Sequence, residues 1–536
     1  MPNLPSNIIL SSGWRRRLIA LGSGAVGALA LPPFGFFPAF LVPMTVSVWL
    51  LDGATGRRQP GKDGIGFSSL LSAAESGWWL GFGYFVAGLW WIGAAFLVDA
   101  DQFLWAMPLG VIGLPALLAM FTALGFVLSR LLWSPGPPRI LALAIGLAVS
   151  EWLRGHVLTG FPWNDFGMVL GANLYLAQFA SVVGLYGLTI LSVAIFAAPA
   201  CLADTPTRSR TPLILAASAF TGLAIFGALR LGNPDTGTVS GVRLRIMQPN
   251  VQHDLKFRAA AKDDLIAHYL ALSDRATSPQ NTGLSDVTHL IWPESAFPFI
   301  LSRDAGALAK IGAALPKGTT LLTGAARLGI PKPGEPQPPV FNSIQVVQSG
   351  GVISDSYDKV HLVPFGEYVP FAALARMVGL QQFVLAAFQS GPRRQLISVP
   401  GLPAVAPLIC YEAIFSGEVM PDGIDAPNAR AGMFLNVTDD SWFGVTPGPY
   451  QHLLQARLRS VEEGIPMIRA ADTGISAIID PYGRIIQQLQ LGQEGVLDGK
   501  LPKALEPTIF ARLGIPAWLT IWFIALFSNL IMRLRI

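Results

Sequence analysis

Three stretches of this sequence place a reactive side chain where a short β-branched run gives way to a turn: Ile291-Trp292-Pro293-Glu294-Ser295, Tyr357-Asp358-Lys359-Val360-His361 and Leu408-Ile409-Cys410-Tyr411-Glu412. A carboxylate, an ammonium and a thiol are together the parts of covalent acyl transfer: a base, a stabiliser of the oxyanion and a nucleophile. Each alone has a plainer reading, Glu294 as a solvated turn carboxylate, Lys359 as surface charge and Cys410 as a small buried hydrophobe. Their recurrence at three strand ends argues for one shared site. A thiol with a pKa of about 8.5 is mostly protonated at neutral pH, so attack needs a carboxylate to take its proton. The tetrahedral oxyanion that follows needs a fixed cation about 3 Å away. One carboxylate can serve both half-reactions in turn, which predicts ping-pong kinetics, and the scheme calls for no metal and no organic cofactor.

The elements that must position these groups lie in the stretch 239–505. Short strand-like runs recur at 242–247, 289–292, 319–323, 341–347, 352–357, 404–410 and 433–437, and resume at 467–471, 475–479 and 484–488. Ser349, Gly350 and Gly351 read as a hairpin turn. The segment 448–463 reads as a helix with Leu453, Leu454, Ala456, Leu458 and Val461 on its apolar face. Strands alternating with helices predict a water-soluble α/β domain, a sandwich of sheets covered by helices.

The rest of the chain has another texture. Hydrophobic residues make up 52% and charged residues 13% of the 536, about half the charged share of a soluble domain, which excludes a wholly soluble, disordered or fibrous protein. The net charge of +4 supplies no concentrated basic face, so nucleic acid is not an expected partner. Two cysteines, Cys201 and Cys410, exclude a disulfide framework and a thiolate-only metal site. Apolar runs of bilayer length lie near 15–31, 34–51, 76–98, 103–129, 139–153, 176–203 and 212–231, with a last one at 510–532. This predicts seven helices within 1–232 and an eighth after the polar domain. Arg15, Arg16, Arg17, then Arg57, Arg58, Lys62, then Arg130, Arg139, then Arg208, Arg210, and finally Arg533, Arg535 all fall on one side of such a bundle. Lys and Arg are retained in the cytoplasm, so both termini are expected there and the 239–505 domain outside. A cleaved signal peptide is the other reading of the first run, but its loss would invert every later loop. Cys201 then lies across the membrane from Cys410, leaving Cys410 a solitary thiol in an oxidising compartment. Trp78, Trp79, Trp90, Trp91, Trp152 and Trp163 suit an interfacial aromatic belt. Glu75 is expected to open the third span, and Glu151 with Arg154 to form a structural ion pair, in preference to a headgroup site, at the end of the fifth.

The order Trp292-Pro293-Glu294, Lys359, Cys410-Tyr411-Glu412 resembles the nitrilase superfamily, whose triad is Glu, Lys, Cys in that chain order. Three more segments narrow the match: Gln248-Pro249-Asn250, Lys359-Val360-His361-Leu362-Val363-Pro364-Phe365-Gly366-Glu367-Tyr368-Val369-Pro370, and Asp440-Ser441-Trp442-Phe443-Gly444. With the arrangement of spans, they resemble the apolipoprotein N-acyltransferases of bacterial inner membranes along essentially the whole chain. The resemblance implies an αββα sandwich facing the periplasm and an acyl chain taken from a phospholipid, usually phosphatidylethanolamine, onto a cysteine. The thioester then acylates the α-amino group of the diacylglyceryl-cysteine that begins an apolipoprotein, the last step of lipoprotein maturation. It implies Glu294 as base, Lys359 as oxyanion stabiliser, Cys410 as nucleophile, Glu367 as a support, and Tyr411 and Glu412 as shapers of the pocket. Trp442 and Phe443 are expected to line the acyl chain, and the protein to work as a monomer. Burying a CH₂ group is worth about 0.8 kcal/mol, so a site for such lipids is expected at the bilayer surface, reached by a lateral opening between helices. Two other readings remain: a membrane-tethered amidase with water as acceptor, and a transporter with an extracytoplasmic sensing domain. Eight helices exceed what a tethered hydrolase needs, and the spans are nearly free of the paired ionisable groups expected of a transporter.

Overall fold

The structure, a computed structural model, describes residues 4–534 apart from 55–65, 205–208, 233–235, 252–261, 332, 334–336, 371–387 and 422–429. Arg57, Arg58, Lys62, Arg208 and Arg535 of the basic connections lie outside the described residues. The chain divides into two compact units, one of Met1–Phe96, Leu104–Pro234 and Pro507–Ile536, the other of Leu97–Phe103 and Asp235–Glu506.

Among the described residues six helical stretches are long and apolar enough to cross a membrane: Phe67–Leu97, Ala100–Leu131, Pro138–Thr159, Ala180–Ala203, Thr211–Leu231 and Ile515–Leu534. The first two expected spans form the shorter helices α1 (Gly13–Gly27) and α2 (Leu41–Asp52). Helix α3 (Phe67–Leu89) begins well before the expected boundary. Glu75 therefore lies inside that helix instead of opening it, 2.5 Å from Arg17. Helices α4 (Leu114–Leu131), α5 (Pro138–His156), α6 (Ala180–Ala197) and α7 (Thr211–Leu231) follow. Helices α1 and α3 touch backbone to backbone: a Cβ on Gly24 would stand 1.9 Å from the Leu80 carbonyl oxygen, and one on Gly83 2.0 Å from that of Leu21. Small residues at helix contacts gain packing where lipid supplies no hydrophobic drive between helices.

Glu151 and Arg154 on α5 pair at 2.5 Å with both side chains fully buried. Arg154 also donates to the carbonyls of Phe161 and, at 2.9 Å, Trp163, so the pair is an interior fastening of the loop after α5. Trp91 and Trp163, expected in the interfacial belt, are buried and pack against each other at 5.1 Å. Residue type marks an indole as amphipathic, but here burial of the whole ring wins. Arg154→Leu would leave the Glu151 carboxylate buried without its partner, and is expected to destabilise the protein by about 3–5 kcal/mol. Thermal unfolding in detergent measures this, and Glu151→Leu added to the same chain should recover most of the loss.

The second unit is built on two sheets. The first has strand order β11-β1-β2-β3-β4-β5, from β1 (Leu244–Gln248), β2 (His289–Ile291), β3 (Thr320–Leu328), β4 (Val340–Gln348), β5 (Ile353–Asp358) and the late β11 (Gly495–Gly499). The second has order β10-β9-β8-β7-β6, from β6 (Val405–Ile409), β7 (Met433–Thr438), β8 (Met467–Ala471), β9 (Ala477–Ile479) and β10 (Ile485–Gln488). Each sheet has three parallel strands followed by two antiparallel ones, and the first adds β11, antiparallel to β1, at its other edge. Leu244, Ile246, Ile291, Leu322 and Ile344 of one sheet meet Val405, Ile409, Leu435, Val437 and Ile468 of the other in a common core. Alternate residues point outward, since side chains along a strand switch faces at every step. Met247 and Leu290 pack under helices α8 (Lys262–Ser273) and α9 (Ala305–Ala314), and Leu408, Phe434 and Met467 under α10 (Pro447–Glu463). Both faces of the inner strands of both sheets are covered, while the edge strands β5 and β10 are partly exposed, which gives a four-layer αββα sandwich and explains why the inner strands read as near-continuous apolar runs.

Candidate active site

Glu294 follows β2, Lys359 follows β5 and Cys410 follows β6, so each reactive group sits just beyond a strand anchored in the common core. The Lys359 ammonium is 1% exposed and lies 2.8 Å from Glu367 Oε2 and 3.7 Å from Glu294 Oε1. Asn342 on β4 donates from Nδ2 to both carboxylates, to Glu294 Oε1 and to Glu367 Oε1, at 2.8 Å each. The second Glu294 oxygen accepts the Asp439 N–H at 2.9 Å, and Glu367 Oε2 accepts the Val363 N–H at 2.8 Å. The two carboxylates are thus held in one orientation around one cation.

Cys410 has φ 51°, a left-handed conformation, and opens the turn Cys410–Ile414. Such a conformation in a residue other than glycine costs on the order of 1–3 kcal/mol and persists where its surroundings fix it. Glu412 is one fixture. Fully buried, it accepts the Ile409 N–H at 2.8 Å through Oε2, and the Tyr357 hydroxyl, the Val360 N–H and the His361 N–H at 2.9, 2.8 and 3.1 Å through Oε1. Its carboxylate therefore staples the nucleophile's turn to the lysine segment. All four of these partners belong to the chain itself. Tyr411 is buried, with ring centroids 5.6 Å from His361 and 5.0 Å from Phe415. Trp442 and Phe443, half-buried, lie on the turn Asp440–Phe443 immediately after the Asp439 N–H that meets Glu294.

The electrostatics divide the roles. Burial pushes Glu294 above the usual carboxylate range, against the lowering pull of Lys359 and with a contribution from Glu367. Burial alone would lower the Lys359 ammonium, but Glu367 and then Glu294 outweigh it and raise it, so the cation persists. Burial and then the charge of Glu294 push the Cys410 thiol well up, while Lys359 pulls it down. These shifts favour a protonated thiol on Cys410, a raised proton affinity on Glu294 and a charged Lys359. A protonated thiol can attack an acyl carbonyl where a neighbouring carboxylate is free to take its proton.

Sequence reasoning missed Asn342, whose one signal is a polar side chain inside the apolar run 341–347. It also missed His452 and Arg469, which are fully buried behind Cys410 beside Asp440 of the motif 440–444.

The family model described as Carbon-nitrogen hydrolase matches residues 290–509, and that described as Apolipoprotein N-acyltransferase N-terminal domain matches residues 23–198. The chain is 52% identical to an apolipoprotein N-acyltransferase of Rhodopseudomonas palustris over 96% of its own length and 95% of the relative's. It is 51% identical to that of Bradyrhizobium diazoefficiens over 95% and 94%, and 46% identical to that of Brucella suis over 94% and 93%. Among solved structures, an amidase of the nitrilase superfamily from Nesterenkonia AN1 aligns at 19% identity and a TM-score of 0.33, over 49% of this chain and 92% of the amidase. A carbon-nitrogen hydrolase of Helicobacter pylori aligns at 12% identity and a TM-score of 0.35, over 49% and 89%.

Proposed function

Since the chain belongs to the apolipoprotein N-acyltransferase family, within the nitrilase superfamily, we propose that Cys410, Glu294 and Lys359 carry an acyl group from a phospholipid to the N-terminus of an apolipoprotein. The protein is an acyltransferase, and its acceptor is the α-amino group of a diacylglyceryl-cysteine. In the first half-reaction the Cys410 thiol gives its proton to Glu294 as sulfur attacks the ester carbonyl. Lys359 faces the oxyanion of the tetrahedral intermediate. The glycerol oxygen of the donor leaves with the proton held on Glu294, and a thioester remains on Cys410. In the second half-reaction the amine attacks the thioester and gives a proton to Glu294. The amide forms and sulfur departs, to be reprotonated from Glu294. Glu367 and Asn342 fix the lysine and the base, and Trp442 and Phe443 line the acyl chain.

The observation that carries this reading is the buried Lys359 ammonium, 3.7 Å from Glu294 and influencing the Cys410 thiol. Phosphatidylethanolamine is proposed as donor and a monomer as the working form. We further propose eight spans, the six long apolar helices joined by the shorter α1 and α2, with both termini in the cytoplasm and the catalytic domain in the periplasm of the inner membrane, the one-sided arginines giving the orientation. Incubation of the full-length protein with phosphatidylethanolamine alone is expected to add one acyl chain to Cys410, read by intact mass. A diacylglyceryl peptide with a free N-terminus should then discharge it as amide. Release of free fatty acid with no acylated peptide would overturn the reading in favour of hydrolysis.

A further inference from the structure

The strained main chain of Cys410 is held on its N-terminal side by Glu412 through the Ile409 N–H. Its C-terminal side meets a group with no part in the scheme above. His452, on the first turns of α10, places Nε2 3.1 Å from the Cys410 carbonyl oxygen. A carbonyl offers only lone pairs, so this nitrogen carries the hydrogen and donates it. The opposite edge of the ring is fixed from two further elements. Nδ1 lies 2.9 Å from Asp440 Oδ1 and 3.2 Å from Arg469 Nη2, and Arg469 Nη2 donates to Asp440 Oδ2 at 2.8 Å. Arg469 in turn donates to Asn436 Oδ1, and Asn436 Nδ2 donates to the Leu408 carbonyl at 3.0 Å. Asn436, Asp440, His452 and Arg469 are all fully buried. The ends of β6, β7 and β8 and the start of α10 are thus tied together behind one peptide unit, the one that joins Cys410 to Tyr411.

We propose that His452 is a positioning residue for the nucleophile, acting through its Nε2 hydrogen bond to the Cys410 carbonyl and itself held by Asp440 and Arg469. The peptide unit is planar, so fixing this carbonyl also fixes the Tyr411 N–H on the opposite edge. The ring thereby sets both the exit angle of the thiol and the direction of the amide next to it. Phe443 lies edge-on to the same ring, with centroids 6.3 Å apart, so the turn that carries Trp442 and Phe443 shares this support. The ring is too deep to touch substrate, and its contribution is to rate through geometry. The inference rests on Cys410 being the group acylated.

Glutamine and asparagine separate this role from a general structural one. The amide nitrogen of Gln reaches the position of Nε2, whereas that of Asn reaches only the position of Nδ1. The full-length protein is compared with His452→Gln, His452→Asn and His452→Leu by three readouts: acyl-adduct formation with phosphatidylethanolamine, alkylation of Cys410 by iodoacetamide, and thermal unfolding. His452→Leu and His452→Asn are expected to slow adduct formation on the order of tenfold or more, with KM for the lipid little changed. His452→Gln should restore most of the rate, and alkylation should follow the same order. Equal rates in Gln and Asn variants, or losses that track unfolding temperature alone, would overturn the proposal. If His452→Leu does not fold, the comparison of Gln with Asn still decides. A wild-type protein that forms no adduct while Cys410 alkylates normally would instead refute the thioester reading, and alkylation would still rank the variants.

Discussion

Cys410→Ala is expected to abolish the acyl adduct and to lower turnover by at least about 10⁴-fold, because removing the nucleophile of a covalent mechanism leaves only binding and electrostatic assistance. Cys201→Ala should change neither. Cys201 is the other thiol of the chain, buried on the turn Ala198–Ala203 of the first unit, and the proposed site draws only on the second. The contrast is read by intact mass after incubation with phospholipid and by acylation of a diacylglyceryl peptide. Cys410→Ser makes a sharper probe of the base. A hydroxyl is far less acidic than a thiol, so Glu294 must remove a harder proton and the serine variant should acylate slowly. An adduct that persists on the alanine variant would place the nucleophile elsewhere and dismiss the triad.

Glu294, Lys359 and Cys410 stood out in the sequence because each closely follows a strand-like run, and strand ends are where rigid elements hand side chains to loops. The family expectation also holds, carried by motif segments whose residues now have neighbours: Glu367 grips Lys359, and Asn250 donates to the Gly492 carbonyl at 2.9 Å to brace the loop after β1. Other features were hidden for identifiable reasons. β11 has the sequence GVLDG, with no strand-like run, and exists because β1 pairs with it from Leu244↔Gly499 to Gln248↔Gly495. That pairing is entirely long-range, so no local pattern announces it. Asn342 sits inside a strand, where a polar residue reads as an interruption until two carboxylates appear on either side of it. His452 lies on the polar side of a helix that is buried all round, and its companions Asp440 and Arg469 come from other elements. The first two spans are helical over most of their expected length, 13–30 and 37–52, each as a short α-helix joined to a 3-10 turn. Between these helices the segment 31–36 contains two prolines and a glycine at φ 60°, so part of the apolar length is not helical.

Lys359→Met is expected to lower turnover by about 10²–10³-fold, the usual effect of losing one preorganised oxyanion partner, and also to displace the pH profile. The second effect identifies the base. In the intact site Lys359 lowers Glu294 while Glu367 raises it, and the shared Asn342 keeps the two carboxylates close together. Methionine preserves length and removes the charge, leaving two buried acids with no cation between them. With the lowering pull of Lys359 gone, burial and the neighbouring Glu367 act on Glu294 unopposed, so Glu294 binds its proton at higher pH than before. Glu294 accepts the thiol proton only when deprotonated, and so the acid limb of the kcat/KM profile should move upward in pH. Lys359→Arg supplies the control. It keeps the positive charge and therefore the position of the limb, but a planar guanidinium cannot reproduce an ammonium set 2.8 Å from Glu367 and 3.7 Å from Glu294. Its rate should fall without the shift. A methionine variant that loses rate while its acid limb stays in place would show that the limb belongs to another group, and Glu294 would then need a different role from the one assigned to it.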